Sequence, residues 1–284
     1  VQNRKSSVNM SEIYSLATPE PASSLYFAIR KAPLRSRVAL RALYTLHKKW
    51  REAAVYTDQH HAVTTLNWWH HELEKIKTGE INHPALIALK PWLNDEAFFN
   101  ALQSLLHGHM HWHHLTRLDT VEQLQPTIDA IAQSFVQVWL SIVGQTELNA
   151  YAQAAGRTLW WIDQTRHIGH SLTPSRLWLP MIWLKELNLP AHLLLNRKLS
   201  PTERAQHGNQ LMRQLIKTAQ HSLAEYHQAY AALSTPSRKA ARSIHALIEQ
   251  RALLLDEIEQ QPQDVWCGLV SVTPRRKWWC SLWI

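Results

Sequence analysis

The side chains that could carry chemistry fall in two stretches with helical spacing. His107, His111 and His114 occur at i, i+4 and i+7, which places them on one helix face. His167 and His170 form a second pair at i, i+3. Imidazoles at such spacing can bind zinc or another transition metal. One hypothesis is therefore a metal site of His107, His111, His167 and His170. The alternative is that 18 histidines simply spread over surface and interior.

The second of these stretches has a frame that is recognisable beyond its histidines. Residues 160–171 read WWIDQTRHIGHS, and 176–180 read RLWLP. This frame resembles the second acidic motif of the squalene/phytoene synthase family. Arg166, Gly169 and Arg176 stand where the family has the same residues, as do Leu179 and Pro180.

Further pieces of the chain resemble the same family in order and spacing. The resemblance implies an all-α fold, the isoprenoid-synthase-type helical bundle with a central cavity. It covers roughly residues 22–283. The pieces are SSLYFA at 23–28, RALYTL at 41–46, WWHHEL at 68–73, the turn from Gly79 to Pro84, and PRRKWW at 274–279.

The family's chemistry depends on carboxylates that are depleted here. In the family, magnesium held by carboxylates on facing helices draws off the diphosphate of an allylic substrate. The family's first acidic motif corresponds to residues 54–58 and keeps only Asp58. A further acidic position corresponds to Trp112, and the second motif has His167 and Ser171. Asp163 stands in place of the usual asparagine. The first motif's other acidic positions hold Ala54 and Val55.

Two functional hypotheses follow from the resemblance. The first is a pseudoenzyme that needs no cofactor and acts through a protein partner, a membrane or an apolar ligand. The alternative is an active, magnesium-dependent prenyl transferase that condenses farnesyl or geranylgeranyl diphosphate into a squalene- or phytoene-like product. In that case the resemblance assigns diphosphate binding to Ser23, Tyr26, Arg51 and Arg166. Large aromatic side chains such as Trp112 and Trp160 are expected to fill part of the cavity.

The elements that must position these residues are predicted to be helices. Residues 1–20 are expected to be a flexible segment and 21–284 a single domain, without any pair of β-strands. The predicted helices start after Ser23, at Pro33 (to Ala54), at 61 (to 77, before Gly79), at Pro84 (to about 90), after Asp95 (to about 115), at Thr120, at 147 (to 171), after Ser200 (to about 232) and at 236 (to 259).

Composition limits the partners and the compartment. The formal charge of +8 favours anionic partners, but no nucleic-acid reader motif or concentrated basic block is present. The tail joins Arg275, Arg276 and Lys277 to three tryptophans, a composition typical of a membrane interface. A helix docked on the body is the alternative. Two cysteines, no signal peptide and no apolar run long enough to span a bilayer predict a protein in the cytoplasm, or peripheral on the inner face of a membrane, and not secreted.

Overall fold

A computed structural model describes residues 16–56, 58–172, 177–196, 198–268 and 270–284. Within these ranges the chain is almost entirely helical, as predicted. The N-terminal part of the segment expected to be flexible, residues 1–15, lies outside the described residues, as does Arg176. The elements are α1 Ser24–Lys31, α2 Arg37–Ala54, α3 Gln59–Glu74, α4 Pro84–Leu89, α5 Glu96–His114, β1 Arg117–Leu118, α6 Gln125–Ile128, α7 Ser134–Ile142, α8 Asn149–Ser171, β2 Leu177–Pro180, α9 Met181–Glu186, α10 Ala191–Leu195, α11 Pro201–Ala231, α12 Thr235–Gln260, α13 Asp264–Cys267 and α14 Pro274–Trp283.

The helix starts are fixed by side-chain caps that the sequence displays. Ser23 Oγ accepts a hydrogen bond from the Tyr26 amide, and Asp95 caps α5 in the same way. Ser200 and Glu203 form a reciprocal capping box at α11. Such caps satisfy backbone N–H groups that have no partner inside the helix. These predicted starts are confirmed.

The centre of the fold is α8, which packs against α11, α12 and α7. Its buried face includes Thr158 and Ile162, both without solvent exposure. The Thr158 hydroxyl bonds the Ser222 carbonyl of α11 at 2.8 Å. Because α8 also carries Asp163, Arg166 and the residues up to Ser171, the central helix of the core positions the second acidic motif.

One element contradicts the prediction that no β-strands pair. Strand β1 pairs in parallel with β2, with Arg117 opposite Leu177 and Leu118 opposite Pro180. The two strands are two and four residues long, too short for any alternating pattern to show in the sequence. Their pairing has a consequence for the site, because β1 directly follows α5 and β2 carries Trp178.

The helix predicted to begin at Thr120 begins later, at Gln125. The Gln123 side-chain oxygen accepts hydrogen bonds from the amides of Asp119 and Thr120, at 2.8 and 3.4 Å. Those bonds stabilise a turn in place of a helical start, since side chains that bond nearby backbone amides compete with helix formation. Pro126 then lies in the first turn of α6.

Replacing Gly156 with alanine is expected to lower the free energy of unfolding by about 1–3 kcal/mol, because overpacking forces a backbone shift. A Cβ at this position would lie 2.6 Å from the backbone of Ala132 and Gln133. Urea titration followed by circular dichroism measures the change. Gly268→Ala is the matched control, since its backbone is extended and no atom lies within 4 Å of its Cβ position. Equal stability of the two variants would contradict this packing.

Candidate functional site

The first acidic position lies at the end of α2 and offers no carboxylate to the interior. Ala54 is completely buried, and Val55 is 53 % exposed. Asp58 is also exposed and accepts a hydrogen bond from the His61 amide at 3.2 Å. The surviving carboxylate therefore caps α3 from the solvent side.

Trp112, which the family resemblance places at an acidic position, belongs to a cluster of three tryptophans. The Trp112 ring meets Trp160 edge to face, with 5.1 Å between centroids, and lies 6.2 Å from the Trp178 ring. All three side chains are buried, each 7 % exposed or less. They come from α5, α8 and β2, so the unpredicted strand pair brings Trp178 against Trp112. A cluster of three large rings fills the space where a carboxylate would face a metal ion.

The third acidic region, on α8, has one carboxylate that faces a cation. Asp163 Oδ1 lies 3.2 Å from Arg251 Nε of α12 in an ion pair, although the N–H direction is not that of a hydrogen bond. One turn on, His167 bonds the Asp163 carbonyl through Nδ1 at 2.6 Å. Burial lowers the pKa of His167, so its ring is held neutral. Ser171 accepts a hydrogen bond from the Trp178 indole at 3.1 Å.

Four cations act on one another around Asp163. Burial and the charges of Arg251 and Arg51 lower the pKa of Arg166. Burial and the charges of Arg251 and Arg166 also lower the pKa of Lys277. The opposing carboxylates whose charges reach these two groups are Asp163 and Glu20. This part of the molecule thus carries an excess of positive charge, which attracts anions and repels metal cations.

The four residues assigned to diphosphate binding each have a local partner in the structure, and their joint role stays a prediction. The Ser23 hydroxyl caps α1, and the Tyr26 hydroxyl accepts a hydrogen bond from Arg30 at 2.7 Å. Arg166 donates from Nε to the Val270 carbonyl at 2.9 Å. Arg51 is exposed, and it acts electrostatically on Arg166. Of the predicted set, the structure relates Arg51 to Arg166.

The hypothesis of a histidine metal site is wrong in its geometry. His107 is exposed and lies 3.4 Å from His70 of α3, while His111 bonds the Thr127 hydroxyl at 2.8 Å. His170 is exposed at the end of α8, and the Nδ1 of His167 faces its own helix. Helical spacing gave the right face of α5, but that face points to α3 and solvent. Within the described ranges, no group of three or more His, Cys, Asp or Glu side chains could hold a metal ion.

A buried histidine pair was not predicted from the sequence. His109 Nε2 lies 3.2 Å from His47 Nδ1, so a proton on one nitrogen is shared in a hydrogen bond with the other. Burial, with the Arg51 charge, lowers the pKa of His109 to about 3, and burial, with His109 and Arg51, lowers that of His47. The residues are 62 positions apart, and no local pattern pairs them. Both rings are therefore neutral at physiological pH.

Magnesium, which the fold family's chemistry implies, does not fit the residues present. Magnesium takes near-octahedral oxygen ligands supplied by carboxylates and phosphate. Here the Asp58 carboxylate caps α3, and the Asp163 carboxylate pairs with Arg251. Trp112 packs against Trp160, and the Ser171 hydroxyl accepts a hydrogen bond from Trp178. Imidazole is a weak ligand for this hard ion.

Comparison with known proteins gives one family and a set of similar folds. The sequence model of squalene/phytoene synthase matches residues 18–278. A dehydrosqualene synthase crystallised with a ligand superposes with a TM-score of 0.74 at 15 % identity, over 91 % of this chain and 89 % of that one. Squalene synthase HpnC from Alicyclobacillus acidocaldarius gives 0.67 at 16 %, over 89 % and 92 %. YisP from Bacillus subtilis gives 0.62 at 13 %, over 91 % and 89 %. No curated protein matches significantly.

Proposed function

Since the chain belongs to the squalene/phytoene synthase family, we propose that it is a non-catalytic member which acts by binding at an anionic membrane surface. The observation that carries the non-catalytic part is the tryptophan cluster of Trp112, Trp160 and Trp178 at a family aspartate position. A buried aromatic cluster can neither ligate magnesium nor admit the charge of a departing diphosphate.

The electrostatics of the region support the same proposal. Ionisation of an allylic diphosphate needs divalent cations beside the leaving group. The cations that act on one another in this region are the side chains of Arg166, Arg251 and Lys277, and their field disfavours the approach of magnesium. On this proposal the frame of the family is kept in α8, and the positions that the resemblance assigns to metal ligands hold other side chains.

The membrane part of the proposal rests on α14. Its exposed apolar side chains include Trp278 at 52 %, Trp279 at 59 % and Trp283 at 79 %. The helix is held to the body, because Arg242 of α12 donates to the Ile284 carbonyl at 2.6 Å and Arg276 pairs with Glu257. No helix among the described residues has the length and apolar character needed to cross a membrane.

Basic residues lie on α14 and close to it. Arg275 is exposed on α14 itself. Lys31 of α1 interacts electrostatically with Arg242 of α12 and with Cys280 of α14. Burial and the Arg242 charge lower the pKa of Lys31. Tryptophan at the headgroup level combined with cations beside it is the composition that binds anionic lipid surfaces. The exposed surface of α14 has both the tryptophans and the basic residues that such binding needs.

Replacing Trp278, Trp279 and Trp283 together by alanine is expected to weaken binding to vesicles containing phosphatidylglycerol by at least about tenfold, since each lost ring removes buried apolar area. Cosedimentation measures the bound fraction, and raised salt should weaken wild-type binding because it screens the basic residues. Trp68→Ala is the matched control, because Trp68 is 43 % exposed and lies on α3. Wild-type binding that is equally strong to uncharged phosphatidylcholine vesicles would contradict the proposal.

The second candidate function is an active prenyl transferase with a remodelled site. The observation in its favour is the retained cation set around Asp163, since arginines suit diphosphate oxygens. The two candidates differ in one observable, the magnesium-dependent release of diphosphate from farnesyl or geranylgeranyl diphosphate. The non-catalytic proposal expects none.

A further inference from the structure

A groove runs along α11, between this helix, the end of α12 and α13. Its volume is ≈ 550 Å³, and none of its lining residues belongs to the candidate site. Along α11 its wall runs from Thr202 to Gln220. A helix rises 1.5 Å per residue, so this wall is roughly 27 Å long, the length of about eight residues of extended chain.

The floor of the groove is apolar. Met212 and Ile216 of α11 contribute to the floor with Trp266 of α13. The Trp266 indole is 1 % exposed and packs so closely on Gly208 that a Cβ there would lie 2.4 Å from its Cζ2. The ring therefore closes the floor of the groove and presents an apolar surface to an occupant.

The walls are lined by carboxamides and by one charge of each sign. Gln206 and Asn209 project from α11, and Gln263 lies on the opposite side. Each carboxamide carries both a donor and an acceptor, as each peptide unit does. Arg213 and Glu259 also line the groove, and neither forms an ion pair with another residue in the part of the chain that the structure describes.

We propose that this groove binds an extended peptide segment of a partner protein. The segment's backbone pairs with the carboxamide walls, its apolar side chains lie on the floor, and it carries an acidic group opposite Arg213 and a basic group opposite Glu259. An elongated, open groove with polar walls suits a peptide better than a prenyl chain, which has no polar groups to pair with amides. The inference is independent of the proposed membrane contact and of catalysis.

The test is selection of binders from a displayed library of random peptides of about ten residues, a length that covers the groove. The full chain is the bait. Selected peptides are then measured against Asn209→Trp, which fills the groove, and against Gln210→Trp. Gln210 is the next residue of α11, is exposed and does not line the groove, so it is a matched control. Circular dichroism of both variants establishes that they are folded.

The expected result is that peptides lose affinity by about tenfold or more for Asn209→Trp, as for a blocked interface centre, and keep it for Gln210→Trp. Arg213→Glu should weaken the binding of the same peptides. A peptide whose acidic residue is changed to lysine should bind this variant again. The proposal is overturned if the library yields no binding peptide, or if every peptide has the same affinity for the Asn209→Trp and Gln210→Trp variants.

Discussion

A chain carrying Trp112→Asp is expected to lose at least about 4 kcal/mol of its free energy of unfolding, because the change removes a buried aromatic ring and buries a charge. The substitution puts back the residue type that the family has at this position. In this molecule the new carboxylate would face Trp160 and Trp178, which offer ring surfaces where a metal ion would be needed. Denaturant titration at pH 7 measures the loss.

The control for that substitution is Trp112→Phe, which keeps an aromatic ring in the cluster. It should cost far less than the aspartate variant, since most of the ring packing survives. A Trp112→Asp chain that unfolds at nearly the wild-type denaturant concentration would mean that the position opens to water or to cations. The tryptophan cluster would then not close the site.

Acidification from pH 7 to pH 5 is expected to destabilise the chain by about 2 kcal/mol through His109 alone, given 1.36 kcal/mol per pKa unit. The folded-state pKa of His109 is about 3, whereas the ordinary value is 6.5. The unfolded chain therefore binds a proton below pH 6.5 that the folded chain refuses until about pH 3. Stability falls as the pH falls across that window, and the lowered pKa of His47 acts in the same direction.

Two variants isolate that contribution. His109→Gln removes the titrating group and should flatten the dependence of stability on pH between 7 and 5. His60→Gln alters an exposed histidine of α3 and should leave the acid sensitivity of the wild type intact. Urea midpoints at a series of pH values measure both. If His109→Gln loses stability with acid as steeply as the wild type, the buried pair is not the cause.

The sequence allowed the helices to be predicted because their signals are local. Ser23, Asp95 and the Ser200–Glu203 box each act within one turn, and Gly79 ends its segment in the left-handed conformation that favours glycine. The start of α6 could not be predicted, because Gln123 bonds the preceding turn in a way that composition alone does not specify.

The sequence indicated which residue types occupy the site, but not which side chains contact one another there. The resemblance to the family indicates from the sequence that Trp112 and Ser171 stand at carboxylate positions. That Trp178 closes on Trp112 depends on a parallel pair of very short strands. Asp163 and Arg251 are 88 positions apart in the chain and lie on different helices. Periodicity within one helix cannot specify a contact between distant helices. For the same reason, helical spacing did not specify that His107 of α5 meets His70 of α3.

The central claim is that the family's fold is kept without its magnesium chemistry. The most direct test incubates the purified chain with farnesyl or geranylgeranyl diphosphate and magnesium and measures released diphosphate, with a dehydrosqualene synthase as the positive control. We expect no release of diphosphate above a no-protein control. Release that requires magnesium and is abolished by Asp163→Asn would contradict it and establish the chain as a working prenyl transferase.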